Sequence, residues 1–135
     1  MKRDLSIITI ALLIMVGACT ADEVTPAAGC DSFETKSTSD DPNIATVKDI
    51  IDQTCAYSGC HDGAGGIAPG DYNKYSRIVQ DIENGSFAAR VITQRDNPSL
   101  GMPPDKSVYP QSLQDSLSQI QLDIITCWLQ DGFPE

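Results

Sequence analysis

The chain has 135 residues, with 9 Lys and Arg against 19 Asp and Glu, and its formal net charge is −10. This length allows one domain with a small core. No stretch after the N-terminal segment gathers enough Lys or Arg to neutralise phosphates, which argues against nucleic acid as a partner. Five cysteines in so short a chain indicate that covalent links, a metal or a cofactor complete the interior.

Residues 1–18 have the pattern of an export signal. A positively charged start precedes an apolar run from Leu5 to Val16, which is too short for a permanent membrane-spanning helix. The sequence Val-Gly-Ala-Cys at 16–19 also resembles the lipobox of bacterial lipoproteins, in which the cysteine is acylated. We therefore expect a signal peptide over residues 1–18 and lipid on Cys19. An ordinary signal peptide with an unmodified cysteine is the alternative.

Residues 19–41 are predicted to form a flexible tether, because Val24 and Phe33 are the only large apolar side chains among them. The folded domain is expected over residues 42–135. Residues 1–18 carry a charge of +1, so their removal would change the net charge from −10 to −11. The expected location is the exported side of a membrane, in the periplasm or on the cell surface, with membrane contact through the lipid.

The first half of the predicted domain contains two clear helical patterns and a weaker one. The first helix is predicted to begin at Asp41-Pro42 and to run into Cys55. A glycine-rich stretch over 55–70 reads as a long loop. The second helix is predicted over residues 72–82, with Gly85 placed to end it, and a weaker helical segment follows at 87–95.

The last helix has the strongest local signals. Ser118 and Gln121 form a capping box, and Leu117 and Leu122 can pack as a hydrophobic staple. Gly132 is placed to end the helix, whose predicted buried face consists of Leu122, Ile125, Trp128 and Leu129. A proline-rich loop over residues 97–111 precedes it. The sequence therefore predicts an all-α fold with two long loops.

Cys55, Cys60 and His61 form a group that indicates covalent attachment of haem. Two thiols can add to the two vinyl groups of the porphyrin, and a histidine directly after the second thiol can bind the iron. His61 is the only histidine in the chain. Met102, in the proline-rich loop, is the candidate for the sixth iron ligand, because a thioether opposite an imidazole favours ferrous iron and raises the reduction potential.

These residues resemble the class I c-type cytochromes, in particular the single-haem domains of secreted bacterial proteins that end in a Trp-containing helix. The resemblance covers roughly residues 44–135. It depends on the Cys-Cys-His group, on Gly101-Met102-Pro103-Pro104, and on the last helix with Trp128, Gly132 and Pro134.

The resemblance implies a cytochrome c-like helical domain wrapped around one haem c. Cys55 and Cys60 would carry the thioether bonds, and His61 and Met102 would bind the iron. Pro69 lies where the family often has a proline whose carbonyl accepts a hydrogen bond from the ligand histidine. The implied function is electron transfer between redox partner proteins by a monomer that is not an enzyme.

The spacing of the two cysteines departs from the family pattern. Two residues usually separate them, whereas four separate Cys55 from Cys60. The intervening loop must bulge to bring both sulfurs to the porphyrin, and Gly59 makes such a bulge feasible.

The main alternative is a Cys55–Cys60 disulfide in a haem-free interaction module on the same lipid anchor. A zinc site is disfavoured because adjacent Cys60 and His61 cannot easily both reach one ion. Blue copper needs two histidines, and Asp62 is badly placed to orient His61 for nucleophilic catalysis. Cys30 and Cys127 remain; they either form a disulfide or stay free.

Overall fold

The computed structural model describes residues 29–32, 46–65 and 68–135. Within these ranges the chain is helical, as predicted, and contains no strand, only an isolated bridge between Asp62 and Asp71. Its elements are a 3₁₀ turn Cys30–Ser32, α1 Val47–Thr54, α2 Tyr75–Glu83, a single turn α3 Ser86–Ala88 that continues as a π-helical segment Ala89–Thr93, and α4 Gln119–Gln130.

The predicted export signal, the acylation site Cys19 and most of the predicted tether lie outside the described residues. In the part of the chain that the structure describes, every helix is too short or too polar to cross a membrane.

Helix α1 begins at Val47, so the predicted start at Asp41-Pro42 is wrong for this helix, although those two residues themselves lie outside the described ranges. The physical reason is a second capping signal. Thr46 has extended backbone angles and its hydroxyl accepts a hydrogen bond from the Asp49 amide, while the Asp49 carboxylate accepts one from the Thr46 amide. This reciprocal pair satisfies two amides that the helix leaves free.

The carboxylate of Asp49 makes the stability of α1 depend on pH. Hydrogen bonds from the amide and the hydroxyl of Thr46 lower the pKa of Asp49 from its usual 3.8. A group whose pKa is lowered by folding stabilises the folded state above its usual pKa, and this contribution disappears as the pH falls through the lowered value.

We therefore expect Asp49→Asn to lower the free energy of unfolding by about 0.3–1 kcal/mol at about pH 6, and by less at about pH 3. Urea unfolding of both proteins across this range measures the difference. A difference that stays constant, or that grows as the pH falls, would contradict this role for the carboxylate.

Helix α4 lies at the centre of the core. It begins at the predicted capping box of Ser118 and Gln121, and Gly132 follows it with a φ of +82°. Every residue from Leu122 to Trp128 is buried, so the buried surface is wider than the predicted face, whereas Leu129, predicted to be buried, is only partly buried at the edge of the core. Trp128 is fully buried, between the rings of Phe87 and Phe133, and α1 packs against the same helix.

Helix α2 begins at Tyr75 and is followed, as predicted, by Gly85 in a left-handed conformation with a φ of +79°. The start differs from the prediction because Tyr72, assigned to this helix by its apolar spacing, lies in the preceding loop. Its side chain is nevertheless buried in the same core cluster. The weaker segment predicted over 87–95 forms α3 and the π-helical segment.

A disulfide joins Cys30 to Cys127, with 5.3 Å between their Cα atoms. It connects the 3₁₀ turn to the buried side of α4, where Cys127 is 1% exposed. The structure thus fastens residue 30, inside the segment predicted as a tether, to the last helix of the domain.

Candidate cofactor site

The predicted cofactor residues surround one cavity of about 440 Å³. The cavity lies between the α2–α3 region and the two long loops, and its volume is within the range of about 300–1,000 Å³ that small-molecule and cofactor sites occupy. All five residues singled out from the sequence line it: Cys55, Cys60, His61, Pro69 and Met102.

Both cysteines of the site are free thiols. Cys55 follows the last turn of α1, is 8% exposed, and has its sulfur 3.3 Å from the Thr54 hydroxyl oxygen. Burial raises the pKa of the Cys55 thiol to about 11. Cys60 is partly exposed at the other end of the loop. The structure therefore does not contain the alternative Cys55–Cys60 disulfide.

The four residues between the cysteines form a closed turn. The His61 amide donates to the Cys55 carbonyl at 3.0 Å, and the Cys60 amide donates to the Tyr57 carbonyl at 3.0 Å. Gly59 has a φ of +89°, a conformation that strongly favours glycine. The hydroxyl of Tyr57 accepts a hydrogen bond from the Leu113 amide at 3.2 Å, which fastens the turn to the loop before α4.

The imidazole of His61 has one ring nitrogen occupied. Its Nδ1 lies 2.7 Å from the Pro69 carbonyl oxygen. A carbonyl oxygen only accepts hydrogen bonds, so Nδ1 carries the hydrogen and Nε2 of the neutral ring keeps its lone pair. Burial lowers the pKa of His61, which favours this neutral form. A neutral imidazole with a free Nε2 is the form that binds a metal ion.

Tyr72 contacts the histidine in a way that the sequence did not predict. Its ring stacks on the imidazole, with centroids 4.1 Å apart and planes 8° from parallel. Its hydroxyl donates to the buried Asp81 carboxylate at 2.8 Å, and Arg77 forms an ion pair with that carboxylate at 3.1 Å. Burial, followed by the contact with Asp81, raises the pKa of Tyr72. Two neighbouring groups, Pro69 and Tyr72, therefore hold the imidazole in place.

Met102 enters the cavity from the proline-rich loop. Its side chain is partly buried and packs against the core cluster, while its amide donates to the Arg90 carbonyl at 3.1 Å. Phe87 and Val91, both buried, supply an apolar wall. The site thus combines two thiols, one imidazole and one thioether with a mostly apolar lining.

This donor set differs from that of a site built by the protein for a bare metal ion. No group of three or more His, Cys, Asp or Glu side chains able to hold an ion occurs among residues 29–32, 46–65 and 68–135. The residues that line the cavity include two cysteines, one histidine and one methionine instead.

Comparisons of the chain with models of protein families, with curated protein sequences and with solved structures found no match.

Proposed function

We propose that this chain is a c-type cytochrome domain that transfers electrons through one covalently bound haem. The observation that supports the proposal is the convergence of two free thiols, the His61 imidazole and the Met102 thioether on one cavity. Bound haem would supply reversible one-electron oxidation and reduction at its iron. No bond in a substrate changes, so the role is that of a carrier rather than an enzyme.

The residues named above have distinct roles in this proposal. Cys55 and Cys60 would hold the porphyrin through thioether bonds, and Nε2 of His61 and the sulfur of Met102 would bind the iron. The Pro69 carbonyl keeps the hydrogen on Nδ1, and so leaves Nε2 free for the metal. The apolar wall of Phe87 and Val91 would exclude water from the porphyrin face.

The proposal includes export and acylation at Cys19, based on the lipobox resemblance and the apolar run before it. The partners would be redox proteins near that membrane. The acidic charge of the chain suits partners that present a basic surface.

The test is the full chain produced in a bacterial host that attaches haem c to its own exported cytochromes. We expect a pyridine haemochrome spectrum typical of haem c, and an intact mass that retains one haem after treatment with acid and acetone. The same mass spectrum reports acyl chains on Cys19. A colourless product without added haem mass, from a host that matures a control cytochrome, would refute the proposal.

Matched double variants make this test specific. Cys55→Ala with Cys60→Ala should eliminate covalent haem. Cys30→Ala with Cys127→Ala removes the same number of cysteines and should retain it, because neither residue of that disulfide lines the cavity. Equal haem content in the two variants would contradict the assignment of the attachment sites.

A second candidate function is a haem-free interaction module stabilised by disulfide bonding. The Cys30–Cys127 disulfide favours it, since a crosslink of this kind can stabilise a small exported domain that has no cofactor. The free cysteines Cys55 and Cys60 bear on this choice, because the haem-bound protein would use both of them as attachment sites. The mass measurement decides between the two candidates.

A further inference from the structure

The segment after α3 changes its hydrogen-bonding register. In an α-helix the Gln94 amide would donate to the Arg90 carbonyl, four residues earlier. In this structure it donates to the Ala89 carbonyl at 2.9 Å, five residues earlier, as is typical of a π-helical turn. The register change makes the Arg90 carbonyl available to another donor.

That donor is the amide of Met102, at 3.1 Å. The side chain of the same arginine makes a second link, because its guanidinium donates to the Leu100 carbonyl at 3.1 Å. Arg90 therefore contacts the chain on both sides of Gly101, once through its backbone and once through its side chain.

Gly101 lies very close to the backbone of the turn that follows the π-helical segment. Its amide donates to the Asn97 carbonyl at 2.8 Å, and a Cβ atom at this position would lie 2.6 Å from the Arg95 carbonyl oxygen. Only glycine fits at that distance. Two contacts, made by Leu100 and Met102, thus join the loop to Arg90 of the π-helical segment, and Gly101 between them packs against the turn that follows that segment.

We propose that Arg90 is a positioning residue that holds Met102 at the cavity in the conformation of an iron ligand. The inference rests on the proposed function. The π-helical turn supplies the carbonyl that accepts from Met102, and the guanidinium restrains the carbonyl two residues earlier. Fixing the loop before the metal binds reduces the entropy lost when the sulfur becomes a ligand.

The test is competition at the iron. Added imidazole must displace the Met102 sulfur to bind, so its apparent Kd reports how firmly the loop holds the sulfur. For Arg90→Gln we expect an apparent Kd for imidazole about fivefold lower than that of the unchanged protein, as the loss of one modest hydrogen bond predicts. The absorption band from methionine bound to ferric iron should weaken in parallel. Arg90→Lys can still donate to the Leu100 carbonyl, so its apparent Kd for imidazole should lie between those of Arg90→Gln and the unchanged protein.

Arg95→Gln is the matched control, since it removes the same charge just after this segment and its side chain pairs with Asp96 rather than with Leu100. We expect its imidazole affinity to stay unchanged. Met102→Ala shows the largest effect possible, because no sulfur competes with imidazole in this variant: we expect tight imidazole binding and no methionine band. If Arg90→Gln behaves like Arg95→Gln, or if Met102→Ala retains the band, the inference is wrong.

Hydrogen exchange of the full chain as purified gives a second readout that needs no haem. The amides of Gly101 and Met102 should exchange faster in Arg90→Gln, while the buried amides of α4 stay protected. If the protein is colourless, the proposed function fails and the ligand-positioning role with it. Faster exchange alone would then show that Arg90 holds this loop for some other purpose.

Discussion

Trp128→Ala should lower the free energy of unfolding by about 3–5 kcal/mol, as is typical for the loss of a large buried aromatic side chain. The indole is fully buried, its ring meets Phe87 and Phe133 edge to face at centroid distances of 6.3 and 6.2 Å, and its Nε1 donates to the Pro134 carbonyl at 2.8 Å. Because the free energy of unfolding of a small domain is only about 5–15 kcal/mol, this substitution removes a large part of it.

Guanidinium unfolding followed by far-UV circular dichroism measures this effect, since Trp128 is the only tryptophan and its fluorescence is lost in the variant. Ile120→Ala, on the same helix but 65% exposed, should change the stability by about 0.5 kcal/mol or less. The loss of stability in Trp128→Phe should lie between those of Trp128→Ala and Ile120→Ala. Equal midpoints for the alanine variants at 120 and 128 would show that α4 is not the centre of the core.

Cys30→Ser combined with Cys127→Ala should cost about 2–5 kcal/mol. The crosslink closes a loop between residues 97 positions apart, and loops of this length restrict the unfolded chain most strongly. Cys127 is also buried, so the substitution with alanine adds a small packing loss.

Reduction of the unchanged protein separates these two contributions, because it breaks the crosslink without altering any side-chain volume. We expect the reduced protein to unfold at a lower denaturant concentration than the oxidised protein, and the double variant to unfold slightly below that. If reduction leaves the midpoint where it was, the crosslink does not stabilise the fold.

Sequence patterns predicted the parts of the fold that depend on local interactions. The start of α4 was predictable because Ser118 and Gln121 satisfy each other's backbone without help from the rest of the chain. Gly85 was recognisable as a helix stop because glycine readily adopts the left-handed conformation that follows a helix end, here with a φ of +79°. The start of α1 was predicted wrongly because two local signals compete, and the Thr46–Asp49 capping box is the one that the helix uses.

Contacts between distant segments were not predictable from sequence. Tyr72 has the spacing of a helix residue, and its stacking on His61 depends on how the loop between them folds back. The π-helical turn depends on Met102 arriving from a later loop to use the freed carbonyl. The five residues singled out from the sequence nevertheless line one cavity, although most of the other residues around it were not predicted.

In the proposed acylated protein, the Cys30–Cys127 link would also limit how far the domain moves from the membrane. A chain spans at most about 3.3–3.6 Å per residue, so whatever conformation residues 20–29 adopt, an acylated Cys19 cannot lie more than about 40 Å from Cys30. Without the link, a tether that extends to residue 41 would allow roughly twice that distance. Under the proposed function, the haem would therefore exchange electrons with donors and acceptors close to the bilayer rather than with those deeper in the surrounding compartment.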